Sequence, residues 1–137
     1  MNIRTLVLTP LLVAAAACNP AKNIENGEAA VATFHQQYNQ QQFDALYAGS
    51  AQALKESTPQ PEFTRFITAV RRKLGAEVST KRTGWNVQTN TGGSFVTLTY
   101  DTKFEKGTGA ETFRIRISGG KAQVEGYNVN SPALVVD

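Results

Sequence analysis

Val96-Thr97-Leu98-Thr99-Tyr100-Asp101-Thr102-Lys103-Phe104 decides the fold. Val96, Leu98, Tyr100 and Phe104 alternate with Thr97, Thr99, Asp101 and Lys103, the period of two expected when successive side chains point to opposite faces of a half-buried strand. Phe113, Ile115 and Ile117 repeat the pattern against Arg114 and Arg116. Turn signals at Asn90-Thr91-Gly92-Gly93, Lys106-Gly107-Thr108-Gly109 and Ser118-Gly119-Gly120-Lys121 divide the chain from Ala76 onward into four strands joined by consecutive antiparallel hairpins.

Upstream of Ala76 the period is that of a helix. Val31, Phe34 and Tyr38 recur at spacings of three and four, with Gln36, Gln37, Gln40, Gln41 and Gln42 on the other side, and Asn26 is the expected N-cap with Glu28 in the first turn. Phe43, Leu46, Tyr47 and Leu54 form a second stripe, broken by Ser57-Thr58-Pro59-Gln60-Pro61. Phe63, Phe66, Ile67, Val70 and Leu74 form a third, which Gly75 stops after Arg71, Arg72 and Lys73 in the last turn. One apolar sheet face must be covered by the helices that precede it. The expected class is α+β: about three N-terminal helices packed on a four-stranded antiparallel meander.

The N-terminus reads as an address. Arg4 precedes twelve mostly apolar residues, Leu6 to Ala17, ending in the small side chains of Ala15-Ala16-Ala17 and the single cysteine, Cys18. A spanning helix needs about 20 apolar residues, and this run is shorter and contains Thr9 and Pro10. Ala15-Ala16-Ala17-Cys18 resembles the bacterial lipobox, with Ala15 where that pattern usually has Leu. The resemblance implies diacylglycerol thioether-linked to Cys18, cleavage before it, acylation of the new N-terminus with a fatty acid such as palmitate, and membrane attachment through the lipid. Asn19, where Asp would favour inner-membrane retention, makes the outer membrane facing the periplasm the expected placement. The expected division is a signal peptide over 1–17, a tether over 18–25, one domain over 26–131 and a tail over 132–137.

Phe34-x-x-x-Tyr38 with Phe43-x-x-Leu46-Tyr47, the helix ending Lys73-Leu74-Gly75-Ala76, and the closing Val124-Glu125-Gly126-Tyr127-Asn128-Val129-Asn130 carry a second resemblance. In this order the chain is similar to the cystatin-like cone of the nuclear-transport-factor-two superfamily, particularly its small lipoproteins of unknown function. That similarity implies a fold and no activity.

Composition narrows the function classes. Lys and Arg number 14 against 11 Asp and Glu, and the sequence pI of about 9.2 rests on this small excess spread along the chain. Neither it nor export favours nucleic acid as a partner. A lone cysteine rules out an intramolecular disulfide and a thiolate metal cluster. His35, the single histidine, has no spaced ligand partner, so no metal or other cofactor is expected; it is placed at the boundary of its helix's apolar stripe. Tyr38, Tyr47 and Tyr100 occupy expected buried faces and are the candidate pocket residues. Arg71, Arg72, Lys73, Lys81, Arg82, Arg114 and Arg116 are the candidate surface for an acidic envelope partner or anionic headgroups.

The function read from the residues is a lipid-anchored envelope protein whose domain is a non-catalytic protein- or ligand-binding module. Two alternatives stay open at this point. One is a small-molecule enzyme of the isomerase or dehydratase type using a buried acid or tyrosine in an open cone. The other is an immunity or exclusion lipoprotein.

Overall fold

Asn19 opens the part of the chain that the computed structural model describes, residues 19–135. Cys18 and the signal segment lie outside the described residues, as do the last two residues of the expected tail. Helix α1 runs from Pro20–Asn39, capped by the Asn19 side chain, whose Oδ1 accepts from the amides of Ala21 at 3.1 Å and Lys22 at 3.4 Å. Proline at the first helical position costs no hydrogen bond and presets φ. The cap therefore stands seven residues before the expected Asn26, and the segment read as an extended tether is helical from Pro20. Asn26-Gly27 looks like a break in sequence because glycine weakens a helix interior. Its reason is close approach: a Cβ at Gly27 would stand 3.2 Å from Leu98, 3.4 Å from Ile115 and 3.5 Å from Val96.

The second apolar stripe is split into two short helices, α2 (Phe43–Ala48) and α3 (Gln52–Ser57), and the third stripe is α4 (Gln60–Leu74). Gly75 ends α4 at φ 76°, a conformation that favours glycine, with its amide on the Arg71 carbonyl. Four strands follow: β1 (Glu77–Asn90), β2 (Gly93–Phe104), β3 (Gly107–Ser118) and β4 (Lys121–Asn130), paired antiparallel in sequence order, before a short 3-10 turn at Pro132–Leu134. The architecture is α+β, helices on a four-stranded meander.

The core lies between the sheet's inner face and the helices. Val96, Leu98, Tyr100 and Phe104 of β2 and Phe113 and Ile115 of β3 are buried against Val31, Phe34 and Tyr38 of α1 and Phe63, Ile67, Val70 and Leu74 of α4. Phe66, read as part of the α4 stripe, is instead 43% exposed at its margin. The β4 edge is partly closed, since the Ala51 amide ahead of α3 donates to the Val124 carbonyl at 2.9 Å. Between Arg114 and Ile115 the β3–β4 register shifts, leaving Glu125 as the extra residue of a bulge.

Because a Cβ at Gly27 would already be in tight contact and a longer side chain must reach past Leu98, Ile115 and Val96, Gly27→Leu is expected to lower stability by about 1–3 kcal/mol through overpacking, although Leu is the better helix former. Urea unfolding with an unchanged m-value checks this; a neutral or stabilising result would contradict the close approach.

Candidate functional site

The polar group most deeply enclosed in the domain is Glu111, 1% exposed on the inner face of β3. Thr102 Oγ1 donates to its Oε1 at 2.5 Å and the Tyr127 hydroxyl donates to its Oε2 at 2.6 Å. His35 Nε2 lies 2.9 Å from Oε1, and with the proton on that nitrogen the ring donates as well. His35 Nδ1 stands 3.9 Å from Glu77 Oε2. Aromatic edges wall the cluster: Phe113 lies 5.6 Å from the His35 ring and 5.0 Å from Tyr127, and Phe34 lies 4.7 Å from Tyr127. Phe66 of α4 crosses the outer side of Tyr127 at 6.3 Å. Burial pushes the Tyr127 hydroxyl well above its ordinary value, and the Glu111 charge and hydrogen bond push the same way.

This cluster corrects the boundary placement of His35, which is 6% exposed. Val31 is four residues before it and Tyr38 three after, so it shares their face of α1. Glu111 and Thr102 were missed, although each keeps the parity of its strand's buried residues: Glu111 stands two before Phe113, and Thr102 stands between Tyr100 and Phe104. A polar residue in an apolar register was the available signal.

The three tyrosines named from sequence do not share a pocket. The Tyr38 hydroxyl donates to the Gly75 carbonyl at 2.8 Å, and Tyr47 donates to the Thr58 carbonyl at 2.9 Å, each tying a helix to a loop. Tyr100 packs edge-on to Phe113 at 5.9 Å. Burial raises the Tyr38 hydroxyl, with Arg71 partly offsetting it. Burial and then Glu28 push Tyr100 up to about 12, against the pull of Arg82. None of the three lines either of two surface grooves. One groove, about 340 Å³, runs between α1, the α2–α3 link and the start of β4, lined by Ala29, Thr33, Phe34, Gln37, Ser50 and Gln123 among others. The other, about 550 Å³, lies against the far end of the sheet beside Lys81, Asp101 and Lys103.

The basic residues are dispersed over several parts of the domain. Arg71 donates to the Asn39 carbonyl at 3.3 Å and covers the Tyr38 ring; Lys73 donates to the Leu134 carbonyl at 2.9 Å; Arg72 is exposed beside them. Arg82 pairs with Glu28 at 2.7 Å. Arg114 and Arg116 share the outer sheet face as expected, but both guanidiniums bind Glu125 at 2.9 Å and stack on Phe95 at 4.3 and 4.8 Å. The bulge explains the third partner, because the extra residue re-aims the Glu125 carboxylate onto that face. Burial alone would raise the Glu125 carboxyl, but the hydrogen bonds from Arg114 and Arg116 outweigh it and hold the group below its ordinary value.

Comparison with known proteins adds one finding. A family model described as "Protein of unknown function (DUF4019)" matches residues 29–127, which takes in α1 from the turn after Gly27, the whole Glu111 cluster and the Arg114–Arg116–Glu125 group. The chain belongs to the DUF4019 family. No curated protein matches it at a significant level. Within this DUF4019 domain, among the described residues, no cluster of three or more His, Cys, Asp or Glu is disposed to hold a metal ion. Chemically, the Glu111 cluster can anchor the sheet to α1 or, if uncovered, exchange a proton with a ligand.

Two predictions follow from the two carboxylates of the DUF4019 domain. Glu111→Ala strands His35, Thr102 and Tyr127 in the core at about 1–3 kcal/mol for each group left unsatisfied. Thermal and urea unfolding should therefore show a loss larger than for Thr102→Ala alone. Glu125 is depressed in the folded state, so its stabilisation is present above its ordinary 4.5 and is lost as pH falls through the folded value. Glu125→Gln should flatten the stability profile in that acid window and leave its shape at pH 6 to 8 unchanged, measured by unfolding across pH.

Proposed function

We propose that this chain is a lipid-anchored protein of the bacterial cell envelope, held through Cys18 at the outer membrane and facing the periplasm, whose domain is a non-catalytic protein- or ligand-binding module. The anchor reading rests on the lipobox-like Ala15-Ala16-Ala17-Cys18 and on the short apolar run before it. More than one acyl chain gives stable attachment where a single chain is marginal. Among the described residues no helix is long and apolar enough to cross a membrane. The arrangement of helices on a meander agrees with the cystatin-like cone, which supplies a surface for binding without dictating chemistry.

The observation that carries binding over catalysis is the occupancy of Glu111. Both of its oxygens are engaged by Thr102, His35 and Tyr127, and the side chains around it fill the core. The groove between α1, the α2–α3 link and β4 is the surface offered to a partner, with Phe34 and Leu46 at its floor and Thr33, Gln37 and Gln123 supplying hydrogen-bonding groups.

One observation favours the isomerase- or dehydratase-type alternative: a histidine and a tyrosine converge on one buried carboxylate, a set able to move protons. That reading needs Phe66, which lies against Tyr127, to swing aside. Binding of a small apolar ligand whose affinity rises in Phe66→Ala would support it.

The anchor is tested by metabolic labelling. Wild type should take up palmitate and accumulate as the unprocessed precursor under globomycin, and Cys18→Ala should do neither; an unlabelled wild-type chain overturns the anchor. For the binding module, a photocrosslinker at Thr33 should give a discrete adduct in the native envelope that one at Gln36 does not. Equal adducts at both positions would remove the groove from the account.

A further inference from the structure

We infer that the domain rests on the bilayer by one defined end, the end carrying the β1–β2 and β3–β4 turns, with those turns against the lipid headgroups. This rests on the Cys18 anchor proposed above and deepens it by fixing which surface the membrane meets.

The first support is the length of free chain. Asn19 is the cap of α1 and Pro20 is already helical, so a single residue separates Cys18 from the first helical residue, a reach of at most about 7 Å. A lipid on Cys18 therefore holds the start of α1 at the headgroups, where a tether running to residue 25 would have let the domain hang at about 25 Å and turn freely.

The second support is the direction of α1 along the sheet. Gly27 lies over Val96 and Leu98, and Tyr38 packs against Phe104 with its hydroxyl on Gly75. The helix thus follows β2 from its start toward its end as it runs forward. Continued back from Gly27 to Pro20, it reaches the end where β2 begins, which is the β1–β2 turn. Asn26 and Ala29 also share a groove with Gly120 and Ala122, which places the β3–β4 turn at the same end.

The third support is charge. No Asp or Glu occurs from Val78 to Tyr100 or from Thr112 to Val124, the two stretches that contain these turns. Lys121 follows the β3–β4 turn, and Arg116 reaches the other turn, donating to the Gly92 carbonyl at 2.9 Å. Glu125 answers two arginines at once, so a positive excess remains. Asp101 and Glu105 lie toward the opposite end, beyond Tyr100. The carboxylates at this end are paired, Glu25 with Lys22, Glu28 with Arg82 and Glu125 with Arg114 and Arg116, and the basic excess that remains suits an anionic lipid surface, whose attraction acts within about a Debye length, roughly 8 Å at physiological salt.

The test uses the full chain, processed and lipidated in a bacterial host and reconstituted into vesicles of phosphatidylethanolamine and phosphatidylglycerol. Thr91→Cys and Ser118→Cys place a fluorophore at the two turns, and Thr108→Cys places one at the opposite end beside the β2–β3 turn; Cys18, as a thioether, takes no label. Headgroup-borne nitroxide should quench the labels at 91 and 118 severalfold more than the label at 108. Equal quenching at all three positions, or stronger quenching at 108, overturns the orientation while flotation and palmitate labelling leave the anchor standing. A chain that neither floats with the vesicles nor carries palmitate overturns the anchor and the orientation together.

Discussion

One long helix lying directly on four strands is the constraint from which the rest follows. The inner sheet face is a continuous apolar surface that β-strands cannot bury by themselves, and α1 meets all four strands. Its backbone comes down onto Val96, Leu98 and Ile115 at Gly27, where even a Cβ would be in tight contact with Leu98. From that point the register of the helix sets the positions of Phe34 on Phe113, His35 on Glu111 and Tyr38 on Gly75. The same register carries the first turn of the helix back to the strand turns.

Glu111 is the polar counterpart of that packing. A carboxylate enclosed in a core is costly unless its lone pairs are met, and here the donors come from three separate elements: α1, β2 and β4. The cluster therefore does more than fill space, since it ties α1 to the sheet in one register. Removing the acceptor would leave its donors stranded in low dielectric, an asymmetry that makes buried polar groups specify a structure more strongly than their net stabilisation suggests. On the outer face Glu125 plays a smaller and more solvated version of the same part between Arg114 and Arg116.

The strands were legible because an antiparallel sheet with one wet face writes its pattern directly as alternation, and β2, β3 and their glycine-rich turns stand where the residues place them. The start of α1 was not. Asn19 and Pro20 carry a strong cap signal, but they follow the signal-like segment closely, and Asn26-Gly27 offers a competing break whose true cause is a tertiary contact invisible to local propensity. The site was half legible. Alternation puts Glu111 and Thr102 on the apolar side, but a rule that expects polar residues outside passes over them, and the spacing from Val31 that buries His35 matters only once its partner is known. Tyr38, Tyr47 and Tyr100 were grouped from their expected buried faces, but burial on a shared face does not imply that hydroxyls meet, and those of Tyr38 and Tyr47 end on different carbonyls.

All of these contacts depend on α1 being one continuous helix from its cap at Asn19, and amide hydrogen exchange resolved by residue measures this most directly. The first helical amides lack intrahelical partners and exchange quickly in any case. Continuity predicts protection from Ile24 through Gly27 and onward comparable with that of Val31 to Tyr38. Rapid exchange through Asn26 and Gly27, with protection setting in only within the turn that follows, would contradict it.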